Sequence, residues 1–126
     1  MVPKDLRYTK EHEWVRVEGE TATIGITDYA AEQLGDIVFV ELPDLGRTVT
    51  QFSAVGVIES VKAVSDLFAP VGGEVVEANS ELSMSPELLN GDPFGKGWML
   101  RIRLSDPAQV DGLLDAAAYE ALTSEG

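Results

Sequence analysis

The chain has 126 residues and no cysteine, and its 22 acidic and 9 basic side chains give a formal net charge of −13. The absence of cysteine excludes a disulfide framework, a thiolate metal site and a cysteine nucleophile. The negative charge opposes binding to nucleic-acid phosphates and to anionic membranes. It favours attraction to basic clefts on partner proteins.

The length and the apolar fraction of 44% predict one domain with one core over residues 1–126. No apolar run is long enough to span a membrane, and the N-terminus has the features of neither a signal peptide nor a transit peptide. We therefore expect a soluble, cytoplasmic, monomeric protein that binds neither nucleic acid nor membrane. The single histidine, His12, argues against a histidine metal cluster or a Ser-His-Asp triad.

Short strands are predicted over most of the first two thirds of the chain. Residues 13–18 and 21–26 alternate apolar and polar side chains on either side of Gly19-Glu20, which is typical of a hairpin. A second hairpin is predicted from residues 54–59 and 63–67. Further strands are expected over residues 36–42, 48–51, 70–78 and 98–104.

Short helices are predicted between and after these strands. Thr27 or Asp28 can cap a helix that runs to Leu34 and stops at Gly35. Ser85 is expected to cap another helix that ends at Asn90-Gly91. A helical turn is predicted after Pro107, and a final helix over residues 115–122.

An internal repeat is indicated by a shift of 38 residues, which places Thr27 on Ser65 and Gly35 on Gly73. We interpret it as a duplication of two β units that pack face to face, as a flattened barrel or sandwich with a pseudo-two-fold axis. The same shift places Lys62 on Ile24. Symmetry therefore supplies no structural reason for that lysine.

Lys62 lies in the predicted turn between the two strands of the second hairpin. Its ordinary interpretation is a solvated lysine that protects a sheet edge. A tight turn on rigid strands, however, also projects one long side chain away from the fold. That geometry suits enzymatic modification of the lysine and the swinging of a covalent cofactor.

The chain resembles the glycine cleavage system H proteins from Tyr8 to about Tyr119. The segments that carry the resemblance are ESVKAVSD at 59–66, YTKEHEWV at 8–15, IGITDYA at 24–30, LGDIVFVELP at 34–43 and APVGGEV at 69–75. It implies a mainly β barrel-sandwich hybrid of the lipoyl-domain type. The β core would span about 13–104, and a C-terminal helical segment about 105–126.

The resemblance also implies (R)-lipoate in amide linkage to Lys62, as N6-lipoyllysine, on a carrier without catalytic activity. Its partners would be a pyridoxal-phosphate glycine decarboxylase, a tetrahydrofolate-dependent aminomethyltransferase and a dihydrolipoyl dehydrogenase, together with a lipoate-attaching enzyme. The loaded arm would fold into a surface cleft. We expect one or both of Glu13 and Asp66 to hold its ammonium group there through charge-assisted hydrogen bonds. Glu11 stands where relatives carry a smaller polar residue.

Two other functions remain open at this point. The first is another swinging-arm domain; biotin domains, however, flank the lysine with methionines, and acyltransferase lipoyl domains place Asp before it, whereas Val61 and Ala63 flank Lys62 here. A role in passing lipoyl groups to other proteins could accompany the carrier role. The second is an unmodified β binding module or enzyme.

The remaining polar and aromatic candidates have ordinary interpretations. His12 is expected to be a hydrogen-bonded structural residue, and at least one of Trp14 and Trp98 to pack in the core. Arg101 and Arg103 share one strand face and are expected to contact an acidic neighbour such as Glu41 or only the solvent.

Two glycines are expected to serve the backbone rather than a nucleotide phosphate. Gly56 is read as a close-packing position in the second hairpin, and Gly73 as a turn glycine at the start of a strand.

Overall fold

Short antiparallel strands form most of the fold. The computed structural model describes residues 2–124. In chain order the elements are β1 (Arg7–Tyr8), β2 (Glu13–Glu18), β3 (Thr21–Ile26), α1 (Asp28–Leu34), β4 (Ile37–Glu41), β5 (Thr48–Val49), β6 (Ala54–Ser60), β7 (Val64–Phe68), β8 (Gly73–Ala78), α2 (Glu81–Met84), α3 (Leu88–Gly91), β9 (Leu100–Leu104), α4 (Ala108–Asp111) and α5 (Ala116–Ser124).

The first predicted hairpin is confirmed as β2 and β3. Glu18 pairs with Thr21 across the two-residue turn. Gly19 in this turn has φ 63°, a left-handed conformation that glycine adopts without a Cβ clash. The second hairpin, β6 and β7, is confirmed as well.

The strands form two antiparallel sheets that pack as a flattened sandwich. One sheet has the strand order β1-β2-β3-β9-β8-β5, and the other has the order β4-β6-β7. Both sheets contribute to one buried core, for example through Ile24, Ile58 and Ile102. The mainly β fold class is confirmed, in its sandwich form rather than as a closed barrel.

The C-terminal helix α5 covers the β1 end of the larger sheet. Tyr119 stacks on Tyr8 with 4.7 Å between ring centroids. Leu6, Trp14 and Ala116 complete this second buried cluster. The helix therefore covers an edge of the sheet.

The 38-residue repeat is wrong as a structural correspondence. Thr27 caps α1, since its hydroxyl accepts a hydrogen bond from the Ala30 amide at 3.2 Å. Ser65, its supposed equivalent, lies inside β7. Gly35 ends a helix, whereas Gly73 begins a strand. The shared residues are small or turn-forming types that suit a helix cap and a strand alike.

The segment before β9 also differs from expectation. A helix with Ser85 as its cap was expected, but α3 begins at Leu88, and the unpredicted helix α2 precedes it. The Ser85 amide donates to the Glu81 carbonyl at 2.8 Å. Ser85 therefore closes α2 and is not the cap of α3.

The arginines of β9 pair with carboxylates of the adjacent strand β8. Nη1 of Arg101 lies 2.5 Å from Oε1 of Glu77, and Nη1 of Arg103 lies 3.2 Å from Oε1 of Glu74. The expected partner Glu41 is wrong, because it belongs to β4 in the other sheet. The strand order places β8 beside β9, so the carboxylates of β8 are the ones that lie near Arg101 and Arg103.

Two glycines allow close approach of neighbouring backbone, which was expected for Gly56, while Gly73 was expected only as a turn glycine at the start of a strand. A Cβ on Gly56 would lie 2.5 Å from the Glu41 carbonyl oxygen. Gly73 starts β8 with φ 151°, and a Cβ there would overlap the Arg103 carbonyl oxygen. Both positions therefore require glycine, because a side chain would push the neighbouring strand away.

Candidate functional site

Lys62 lies in the tight turn between β6 and β7, where it was predicted. The hydroxyl oxygen of Ser60 accepts hydrogen bonds from the amides of Lys62 at 3.3 Å and Ala63 at 3.0 Å. The Ser60 amide donates to the Ala63 carbonyl at 2.8 Å. One serine therefore holds the backbone on both sides of the lysine.

Chain segments outside the hairpin anchor this turn. The Val61 amide donates to the Asp36 carbonyl at 3.0 Å. Asn90 in α3 in turn donates to the Gly35 carbonyl at 2.8 Å and accepts from the Ile37 amide at 3.0 Å. The helix α3 thus fixes the segment against which the lysine turn is bonded.

The Lys62 side chain itself is exposed. Its Cε lies 3.3 Å from the position that a Cβ on Gly35 would occupy, so the aliphatic stem passes over a residue without a side chain. Within residues 2–124, neither of the two ion pairs includes Lys62. The amine is therefore accessible to another molecule.

Glu13 is a buried carboxyl, only 2% exposed, at the start of β2. The Thr9 hydroxyl donates to its Oε1 at 2.5 Å, and the Phe68 amide donates to its Oε2 at 3.3 Å. Burial raises the pKa of Glu13 to about 7, although both hydrogen bonds act in the opposite direction. Near neutral pH the carboxyl therefore exists in both protonation states.

Asp66 is exposed on β7, where it pairs with Val57 of β6. Phe68, whose amide bonds to Glu13, lies two residues further along the same strand, so its side chain shares a face with that of Asp66. The structure thus connects Glu13 to the strand that carries Asp66. Among the described residues, neither carboxylate forms an ion pair with Lys62.

A surface cavity of about 410 Å³ opens beside this contact. Thr9 and Phe68, the hydrogen-bond partners of Glu13, both line it, as do Phe52 and Glu11. The other lining residues are Tyr8, Lys10, Gly112, Leu113 and Leu114. The cavity is of a size and apolar character that suit a small ligand.

Four residues of this region were not predicted from the sequence: Ser60, Thr9, Phe52 and Phe68. Serine is common at the first position of a turn, so Ser60 could have been found from its place before Val61-Lys62. Phe68 could have been found because it lies two residues after Asp66 on the same strand, so that both side chains share one face. Thr9 lies only four residues before Glu13, in the connection between β1 and β2. No local signal joins Phe52 to the site, because the chain brings it there only on folding.

The other polar candidate, His12, is a structural residue, as expected. Its Nδ1 lies 2.8 Å from the Tyr119 hydroxyl, which is also 2.7 Å from the Thr27 hydroxyl. Burial lowers the pKa of His12. This network joins the start of β2 to the C-terminal helix α5.

The two tryptophans divide between core and surface. Trp14 is fully buried, and its Nε1 donates to the Pro93 carbonyl at 3.0 Å. Trp98 is half-buried, with the Arg101 guanidinium 4.3 Å from its ring centroid. The expectation that at least one of them packs in the core is confirmed.

Residues 2–124 contain neither a cluster of metal-ligand side chains nor a helix that could span a membrane. No group of three His, Cys, Asp or Glu side chains there is arranged to hold a metal ion. No helix in this part of the chain is long and apolar enough to cross a membrane.

Comparisons with known proteins agree along almost the whole chain. The model of the glycine cleavage H-protein family matches residues 6–126. The glycine cleavage system H protein of Symbiobacterium thermophilum is 60% identical over 125 residues, which cover 99% of this chain and 98% of that relative. The corresponding protein of Carboxydothermus hydrogenoformans is 54% identical over 125 residues, with 99% and 96% covered.

A solved structure gives the same result. The crystal structure of a glycine cleavage system H protein from Mycobacterium marinum matches with a TM-score of 0.90 and 38% identity, over 98% of this chain and 99% of that chain. Sequence and fold therefore lead to one conclusion: the chain belongs to the glycine cleavage H-protein family.

Proposed function

We propose that this chain is the lipoylated carrier protein of the glycine cleavage system, a single domain with (R)-lipoate joined to Lys62 as N6-lipoyllysine. It carries the aminomethyl group of glycine between enzymes and catalyses no step itself. The observation that supports the proposal most directly is an accessible lysine on a turn locked by Ser60. A fixed base and a free end are what a mobile covalent arm needs.

Three enzymes act on the carrier in turn. A pyridoxal-phosphate glycine decarboxylase loads the aminomethyl group, and a tetrahydrofolate-dependent aminomethyltransferase removes the one-carbon unit and releases ammonia. A dihydrolipoyl dehydrogenase then reoxidises the dithiol. The lipoyl group supplies the dithiol chemistry, and this chain supplies position and shielding.

The composition suits brief contacts with several partners. The net charge of −13 favours fast, salt-sensitive encounters with basic clefts over tight binding. A chain without cysteine cannot trap the arm in a mixed disulfide with itself. We propose that it acts as a monomer in the cytoplasm.

The cavity beside Glu13 is the proposed resting place of the loaded arm. A primary amine on a carbon bound to sulfur is prone to hydrolysis, and shielding from water preserves it. Neither Glu13 nor Asp66 is among the residues that line the cavity, but Glu13 bonds to Thr9 and Phe68, which do. One or both carboxylates would hold the ammonium group at its edge by charge-assisted hydrogen bonds. A nearby cation favours the ionised form of Glu13 and so opposes burial, which raises the pKa of this carboxyl to about 7.

The length of β7 is compatible with this arrangement. From Val64 to Phe68 the strand spans about 13 Å, at about 3.3 Å per residue. An extended lipoyl-lysine chain of about twelve bonds reaches about 15 Å. The arm is therefore about as long as the strand that leads from the Lys62 turn to Phe68, which lines the cavity.

Intact mass of the natively produced protein tests the attachment. We expect the lipoyl increment in wild type and in Lys96→Arg, which removes another exposed lysine, but not in Lys62→Arg. An active lipoate-attaching enzyme must be present during production. A biotin increment, or no increment under those conditions, contradicts the proposal.

A further inference from the structure

Four exposed apolar side chains surround the Lys62 turn: Val38, Phe39, Val61 and Val64. They are between 48% and 70% exposed, and we call them the apolar strip. The core of the sandwich does not need them, because Ile37 and Val40 of β4 and Leu67 of β7 face inward from the same strands.

Strand pairing places the strip on one face. Phe39 pairs with Glu59, and Glu59 pairs with Val64, so their side chains share the outer face of the three-stranded sheet. The register shifts between Ile37 and Phe39, which adds Val38 as the extra residue of a bulge. The bulge lets two consecutive apolar side chains point outward.

Carboxylates lie within the strip and along one side of it. Glu59 lies in its central row, between Phe39 and Val64, and Glu41 and Asp66 lie in the next row, on either side of Val57. The complementary partner surface is apolar, with basic groups opposite Glu59 and along one border.

We propose that the apolar strip is the docking surface for the enzyme that attaches lipoate to Lys62; this rests on the proposed function. An unmodified lysine side chain reaches only about 6 Å. An enzyme that brings an activated acyl group to Nζ must therefore cover the residues next to Lys62. Enzymes that use the finished arm can bind further away, because the arm reaches about 15 Å.

The attachment step itself involves only Lys62. The Nζ lone pair forms the amide bond to the carbonyl carbon of a lipoyl adenylate. The bond from that carbon to the AMP oxygen breaks, AMP leaves with the electron pair, and the Nζ proton passes to solvent. The strip contributes binding alone, so its loss should change KM and leave kcat unchanged.

The test measures initial lipoylation rates against carrier concentration, with the full-length unmodified chain, a purified lipoate–protein ligase, lipoate and ATP. Phe39→Ser and Val64→Ser should each raise KM about tenfold, the size of effect that hot-spot side chains at an interface have. Phe39→Leu keeps the apolar contact and should stay near wild type. Val17→Ser, at an exposed valine in the six-stranded sheet, is the matched control and should also stay near wild type.

Each alternative has its own outcome. Unchanged KM in the Ser variants overturns the docking surface, while failure of the wild type to accept lipoate overturns the proposed function instead. Dimerisation that Phe39→Ser abolishes would assign the strip to a second copy of the chain. Normal lipoylation with slowed glycine decarboxylation would assign it to the decarboxylase. Cooperative urea unfolding shows whether each Ser variant is folded. If a strand variant is not folded, Val61→Ser in the exposed turn is measured in its place, with the same expected rise in KM.

Discussion

The Phe68 amide donates a 3.3 Å hydrogen bond to Oε2 of Glu13, which joins a buried carboxyl on β2 to the strand that leads away from Lys62. The strand β7 thus connects the lysine hairpin to the cavity, which Phe68 lines. Because Glu13 is titratable, the stability of this region should depend on pH.

Replacing Glu13 by Gln should remove a pH-dependent loss of stability. Burial raises the pKa of Glu13 from 4.5 to about 7. Between these values the folded state keeps a proton that the unfolded state has lost, so stability falls as the pH rises through this window, by up to about 3 kcal/mol.

Urea unfolding at pH 5 and pH 8 measures this effect. The amide of Glu13→Gln can still bond to Thr9 and to the Phe68 amide. The variant should exceed the wild type in unfolding free energy by about 3 kcal/mol at pH 8 and by less than about 1 kcal/mol at pH 5. An equal difference at both pH values would show that Glu13 does not titrate in this range.

The lifetime of the loaded carrier tests the proposed cleft. Glu13→Gln combined with Asp66→Asn should shorten it about tenfold, since charge-assisted hydrogen bonds to the ammonium group are lost. The measurement is release of formaldehyde from purified loaded protein in buffer. Glu18→Gln with Glu20→Gln removes the same charge from an exposed turn and should change nothing. An unchanged lifetime in the cleft variant contradicts the assignment.

Ser60→Ala should loosen the lysine turn. It removes the hydroxyl that accepts from the amides of Lys62 and Ala63, so amide hydrogen exchange at these two positions should accelerate. Ser65→Ala is the control, because its hydroxyl makes only a 3.4 Å contact with the Asp66 carbonyl. Equal exchange in Ser60→Ala and wild type would show that the serine does not hold the turn.

Gly73→Ala should destabilise the fold much more than Gly19→Ala. A Cβ on Gly73 would overlap the Arg103 carbonyl oxygen, whereas nothing lies within 4 Å of a Cβ on Gly19. Gly19→Ala should cost about 1 kcal/mol for its positive φ, and Gly73→Ala more than about 3 kcal/mol. Urea unfolding compares them, and equal losses would refute the steric explanation.

Both hairpins could be predicted because the signals lie within short stretches of the sequence. In β2 and β3, alternation of side chains and a Gly19-Glu20 turn determine the pairing together. The turn at Lys62 is likewise indicated by the short apolar stretches on either side of it, which form β6 and β7. Even the burial of Glu13 has a sequence signal, since it is in phase with buried Val15 along β2.

The remaining features depend on contacts between distant parts of the chain. Arg101 meets Glu77 only because β9 lies beside β8. The cavity forms only when Phe68, 55 residues further along the chain than Glu13, meets the segment of residues 9–13. Strand order is set by the packing of the whole core, and no local pattern encodes it.

Glycine oxidation in a system reconstituted from the three partner enzymes tests the central claim most directly. The readout is glycine-dependent reduction of the nicotinamide acceptor, with the carrier lipoylated beforehand. Wild type and Lys96→Arg should support the reaction, and Lys62→Arg should give none. Sustained activity with Lys62→Arg would contradict the carrier role assigned to Lys62.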